Sequence, residues 1–307
     1  MPCNSCIIKK AKINSGGLCR LLSPGLRLNL PPQKFICGED QLRWPVFKKK
    51  MNQTERRTYL INALLDENPH YRDTEIPVRT DEQKALLRGL MNIRPPRGIS
   101  EEFLRVQDAY LKEEALRKGI TDINDLTPVK GGLYIWQGDI TTLRCGAIVN
   151  AANSGMTGCY IPNHRCIDNC IHTYAGLQLR YECGQIMEKQ RREEPAGSAK
   201  ITGAYNLPCS YVIHTVGPVI SGKPSKKDSA LLASCYSSCL ETAAEHNIES
   251  VAFCCISTGE FHFPNEQAAE IAVDSVRKFM EKESSVKKVI FNVFKDKDKE
   301  IYEQLLK

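Results

Sequence analysis

The sequence has no apolar run approaching the roughly 20 residues needed to cross a bilayer, so a helical membrane protein is excluded. It also lacks a secretory signature at its start. The segment MPCNSCIIKKAKINSGG never reaches an apolar stretch of about 7–15 residues, and an intracellular, cytoplasmic protein is expected. Acidic residues are missing from positions 1–38, where Lys9, Lys10, Lys12, Arg20, Arg27 and Lys34 match the whole net charge of +6. An acid-free basic segment of this kind is read either as an organelle-targeting peptide, such as a mitochondrial one, or as a plain irregular extension. From Glu39 onward the charge is balanced, which leaves no phosphate-tracking surface; neither nucleic acid nor membrane is expected as a partner.

Cysteine is plentiful: 14 residues are spread through 307, with no secretory context to oxidise them. They read as reduced thiols, most of them small core residues such as Cys254 and Cys255 in VAFCCIST, with metal binding at selected positions. Cys3 and Cys6 form a Cys-x-x-Cys pair with no second pair nearby, which leaves them short of a zinc site.

Three regions follow from patterning. Residues 1–50 are irregular, broken by Ser23-Pro24-Gly25 and Pro31-Pro32. Residues 51–124 predict a small helical appendage. Its helices run from Thr54 to Glu67, from Asp81 to Asn92, and from an N-cap at Ser100 to Gly119, each with an apolar face and none with evident chemistry. From 125 to 307 short apolar runs alternate with helices. The strands are expected at 133–137, 147–152, 211–216, 251–256 and 288–294, and the helices at 167–182, 228–246, 265–282 and 298–306. That alternation predicts an α/β domain with a largely parallel sheet, whose ligands gather beyond the carboxyl ends of the strands.

The loops at those ends read Gly138-Asp139-Ile140-Thr141, then AIVNAAN to Asn153, then HTVGP, then Ser257-Thr258-Gly259-Glu260-Phe261. Their order and placement resemble the macrodomain family over about residues 125–307. The resemblance implies a three-layer sandwich, with a mostly parallel mixed sheet flanked by helices. It also implies ADP-ribose as ligand and, in some members, hydrolysis of the bond between ADP-ribose and a protein side chain. Asp139, with Ile140, is implied at the adenine. Backbone N–H groups of Ser257 to Glu260 suit the pyrophosphate, and Phe261 covers the distal ribose. A turn-forming aspartate and a plain strand-to-helix turn are the bland readings of the same loops.

Between Gly158 and His172 the chain reads GCYIPNHRCIDNCIH. Three soft or borderline ligands, Cys159, His164 and Cys166, fall within eight residues on a loop turned by Pro162 and can wrap one Zn²⁺ per chain, leaving a fourth position open. Two thiolates and a neutral imidazole offset the dication. This Cys-x4-His-x-Cys loop resembles the zinc-dependent branch of MacroD-type hydrolases, which implies a catalytic metal. Cys170 and His172, on the following helix, are read as packing residues, with Cys170 a conceivable substitute ligand. Asp168 opens that helix, where a carboxylate also suits capping. The resemblance places Asp168 and Ile167 near the distal ribose, with Asn153 facing the same sugar, and gives Asp168 and Asn153 the catalytic roles. Asn150 is expected to tie its loop together.

The reading is therefore a zinc-dependent hydrolase removing mono-ADP-ribose, carboxylate-linked, from proteins, with a non-catalytic ADP-ribose reader as the alternative. Zinc would generate hydroxide or polarise the substrate; the sequence leaves both open. The resemblance further implies a target modified by a sirtuin-like transferase, such as a lipoyl-carrier protein. A monomer is expected.

Overall fold

The computed structural model describes residues 51–307; the basic segment and the Cys3–Cys6 pair lie outside the described residues. Residues Lys49–Lys307 make one compact unit. It opens with α1 (Gln53–Asp66), α2 (Thr80–Ile93) and α3 (Glu101–Lys118). Asn52 and Glu55 form a reciprocal capping box on α1, and Ser100 caps α3 as its sequence predicts. Leu60, Ile61, Leu64, Leu87, Leu90, Phe103 and Tyr110 face inward to give these helices their own core.

The rest of the chain is α/β. In order it forms β1 (Thr121–Asp122), β2 (Leu133–Gln137), β3 (Leu143–Arg144), β4 (Ala147–Ala151), α4 (Ile167–Ala175), α5 (Leu177–Gln190), β5 (Ala199–Gly203) and β6 (Tyr211–Thr215). There follow α6 (Lys226–Glu245), β7 (Ser250–Phe253), α7 (Asn265–Met280), β8 (Lys288–Val293) and α8 (Asp296–Leu306). Six strands pair in the order β2-β8-β7-β4-β6-β5, and β1 pairs with β3 separately. All neighbours in the large sheet are parallel except β5 with β6. The central strands are buried on both faces, as a covered parallel sheet requires: β7 is buried throughout and β4 nearly so. Helices α6 to α8 pack on one another in series, while α4 rests on β4, and α5 on β5.

Beyond two short strands that the patterning does not predict, β1 and β3, and a β7 that ends at Phe253 rather than residue 256, two larger features differ. The helix expected over 167–182 is two helices. Gly176, at φ +99°, breaks it, and a Cβ there would stand 2.6 Å from Gln107 Nε2 of α3. Gln107 in turn caps α5, its Oε1 accepting from Leu177 N at 3.0 Å. The second feature is β5, which the sequence reading passed over. Its residues AKITG are mostly half-buried on a sheet edge and carry no apolar run to find. Among the described residues, no helix is long and apolar enough to cross a membrane.

Candidate functional site

The loops singled out by motif all leave the carboxyl ends of β2, β4, β6 and β7. After β2, a Cβ on Gly138 would lie 2.5 Å from the Trp136 indole, so a side chain in the turn into Asp139 would have to displace that ring. Asp139 Oδ1 accepts from Thr141 N at 3.0 Å and from its hydroxyl at 2.6 Å, and Oδ2 accepts from Lys118 Nζ at 3.0 Å. Burial opposes ionisation, but Thr141 and the Lys118 ammonium prevail and hold the carboxyl below its ordinary range. Lys118 also stands 3.3 Å over the Tyr174 ring. It ends α3, so the appendage read as carrying no chemistry supplies a cation to Asp139. Ile140 is 2% exposed and belongs to the core, leaving its main chain as the part able to meet a ligand.

After β7, Ser257 takes a left-handed φ of +63° and the loop closes through Phe263 N donating to Ser257 O at 2.9 Å. Ser257 Oγ is buried without a partner, a free donor of the kind an anion can take. A Cβ on Gly259 would meet nothing within 4 Å, so that stretch of backbone borders open space. Phe261 is partly exposed and its carbonyl accepts from Ile220 N at 2.9 Å, tying the loop after β6 to this one. The Glu260 side chain turns to the neighbouring loop, its Oε1 lying 3.5 Å from His164 Nε2, and leaves the main-chain N–H of this loop as the part able to meet an anion.

The ligand atoms of Cys159, His164 and Cys166 lie within 4.8 Å of one another. Cys159 Sγ stands 3.5 Å from His164 Nδ1, so the ring turns Nδ1 to the thiols and Nε2 to Glu260. A metal-binding histidine commonly offers its other nitrogen to a carboxylate in this way. Burial pushes the Cys166 thiol up to about 12, and Cys159 beside it adds to the shift. Two thiol sulfurs and an imidazole nitrogen this close make a donor set that fits a soft dication. Cys166 also caps α4, its Sγ accepting from Asn169 N at 3.4 Å.

Asp168 is buried behind this loop. Its Oδ1 accepts from Asn150 Nδ2 at 2.9 Å and its Oδ2 from Asn153 Nδ2 at 3.2 Å. Burial raises it to about 6 against the pull of Asn150, Arg180 and Asn153. Asn150 thus holds Asp168 rather than its own loop; Asn153 does the tying, donating also to Gly158 O. Ile167, partly buried at the head of α4, packs against the core.

A second group of potential ligands, His172, Cys183 and His214, also lies within 4.8 Å and is fully buried. Asn150 spends one amide proton on Asp168 and the other on His214 Nδ1 at 3.2 Å. His214 Nδ1 therefore carries the lone pair and Nε2 the proton, which Thr202 Oγ1 accepts at 2.9 Å. With both ring nitrogens engaged, His214 has no lone pair to give a metal. His172, by contrast, has neither nitrogen bonded, and its Nε2 stands 3.6 Å from Asp168 Oδ1.

Sequence reasoning missed Lys118 and the part played by His214. Both act on residues far away in sequence, and no local pattern marks them.

A family model described as Macro domain matches residues 149–272. A "Protein-ADP-ribose hydrolase" from Treponema medium is 58% identical over 83% of this chain and 100% of its own length. One from Staphylococcus aureus is 50% identical over 81% of this chain and 94% of its own. The chain belongs to the macrodomain family. Among solved structures, a Trypanosoma brucei macrodomain in complex with ADP-ribose is similar, with a TM-score of 0.57 and 27% identity over 71% of this chain and 95% of that one. An Oceanobacillus iheyensis macrodomain solved with ADPR has a TM-score of 0.53 and 34% identity over 59% of this chain and 95% of that one. Both of these solved structures are macrodomains, each matched over 95% of its own length.

Proposed function

We propose that this protein hydrolyses the link between mono-ADP-ribose and a protein side chain, carboxylate-linked in the first instance, with one zinc ion held by Cys159, His164 and Cys166. The observation that carries the reading is the convergence of three soft ligands next to a buried carboxylate, at the end of the sheet where a macrodomain takes its ligand. The names of its relatives support the hydrolase class. A target carrier protein modified by a sirtuin-like transferase rests on the family resemblance alone.

Asp139 would accept the adenine amino group, releasing Lys118 from one carboxylate oxygen. The free hydroxyl of Ser257 and the main chain through Glu260 would meet the pyrophosphate. Phe261 and Asn153 would flank the distal ribose. Zinc bound at the loop would supply a Lewis acid at the scissile end. Asp168, clamped by two asparagine amides, is pre-oriented to accept a proton from an attacking water or a ribose hydroxyl. Its burial excludes competing solvent.

The test is release of ADP-ribose from a carboxylate-linked, mono-ADP-ribosylated protein, followed by mass spectrometry. Asp168→Ala is expected to lose about 10²–10⁴ in rate while keeping its metal. A zinc-loaded wild type that binds ADP-ribose yet cleaves none of several such substrates would instead mark a reader.

A further inference from the structure

Helix α2 touches the Cys159–Cys166 loop at more points than packing alone requires. Nη2 of Arg88 donates to His164 O at 2.7 Å, to Asn169 Oδ1 at 2.9 Å and to Cys170 Sγ at 3.4 Å. Asn169 passes the contact on, its Nδ2 donating to Cys159 O at 3.3 Å and to Ile161 O at 3.0 Å. One guanidinium therefore reaches the main chain of His164 directly and that of Cys159 through a single side chain. One turn further along α2, Asn92 accepts from Asn163 N at 2.9 Å and donates to Thr173 Oγ1 at 2.9 Å. Asn163 precedes His164 and sits at a left-handed φ of +58°, so this bond is made where the loop bends. Between the two, a Cβ on Gly89 would stand 3.3 Å from Asn163 Nδ2, which shows how closely the helix is laid against the loop.

We infer that Arg88 is a positioning residue for the metal loop, holding His164 and Cys159 in register to share one ion. By bonding Cys170 Sγ it also keeps that thiol out of the ligand set. The inference rests on the zinc reading of the loop. It gives the N-terminal helices a task in the site: the loop has no glycine between Cys159 and Cys166 to let it settle unaided and takes its shape from α2. A metal's outer-shell partners typically account for about 10–100-fold in affinity.

The experiment is competition for Zn²⁺ between the full chain and a chromophoric chelator, read alongside the visible spectrum of the Co²⁺-substituted protein. Wild type, Arg88→Ala, Arg88→Lys and Lys84→Ala are compared, each with a melting temperature in the metal-free state. Lys84 makes an ion pair with Glu114 at 2.5 Å within the same helices and does not reach the loop. Arg88→Ala is expected to weaken metal binding by about 10–100-fold and to alter the Co²⁺ bands. Arg88→Lys recovers little of this, because its ammonium ends about one bond short of the position from which Nη2 makes all three contacts. Lys84→Ala keeps wild-type affinity. Affinity in Arg88→Ala within twofold of wild type would overturn the inference while leaving the zinc reading intact, as would an equal loss in Lys84→Ala. Should Arg88→Ala fail to fold, wild-type affinity in Arg88→Lys overturns it. A wild type that takes up no metal would overturn the zinc reading and this inference with it.

Discussion

The two histidine–cysteine groups of this protein have similar composition and opposite settings. Cys159, His164 and Cys166 stand half-exposed on a loop, whereas His172, Cys183 and His214 are buried between helices and sheet. In the loop, His164 turns one nitrogen to a thiol and the other to Glu260. In the core, His214 has both nitrogens bonded to uncharged neighbours, and burial pushes the Cys183 thiol up, as it does Cys166 in the loop. Burial also lowers His214 to about 3, which keeps it neutral. The same ligand types thus serve two ends. Proximity of donors does not make a metal site; free lone pairs and a route for the ion do.

Metal content breaks this comparison most sharply. Cys166→Ala is expected to drop zinc from one equivalent to a small fraction, while Cys183→Ala leaves it at one. Elemental analysis finding two equivalents in wild type, or loss in Cys183→Ala, would put a metal in the core group and contradict the tautomer assigned to His214.

Next in size is the cost of emptying the core group. His214→Ala strands the amide of Asn150 and the hydroxyl of Thr202, both buried, whereas His172→Ala removes a ring whose nitrogens have no partner. The two leave similar cavities, so His214→Ala is expected to cost about 1–3 kcal/mol more in denaturant unfolding. Equal costs would mean the hydrogen bonds of His214 contribute nothing net.

The smallest effect, over the first pH unit below about 6.5, is in pH. A histidine depressed in the folded state keeps its full contribution above its unfolded value near 6.5 and loses it as pH falls towards about 3. The unfolded chain takes up the proton first, so stability falls with acid, at most about 1.4 kcal/mol per pH unit. Asp168 works the other way between its unfolded value and about 6, so the slope is read as a difference between proteins. His214→Gln is expected to lose stability more slowly than wild type below pH 6.5. Parallel profiles would show that His214 does not titrate on unfolding.

The legible part of this molecule is what lies close together in sequence. The period of the apolar runs gave the parallel strands, and the spacing of Cys159, His164 and Cys166 named a loop whose ligand atoms the fold brings together. Capping residues such as Ser100 marked helix starts. What escaped depends on approach between distant segments. Gly176 looks like a tolerated helix glycine until Gln107 of α3 arrives beside it. Lys118 reads as a charge at a helix end until it meets Asp139. Asn150 and Asn153 share the motif NAAN, yet the clamp they make on Asp168 needs the strand and the helix start folded against each other. The Glu260 side chain shows the same limit, since only the fold brings it to His164.

Zinc is proposed to act at the scissile bond without being needed to hold ADP-ribose. The most direct measurement sets turnover on a carboxylate-linked, mono-ADP-ribosylated protein beside calorimetric affinity for free ADP-ribose, in zinc-loaded, chelator-stripped and Cys166→Ala protein. Stripped and variant proteins are expected to keep affinity within a few-fold and to lose at least about 10² in rate, the scale of one well-placed electrostatic group. Wild-type turnover in fully stripped protein would contradict that role for zinc.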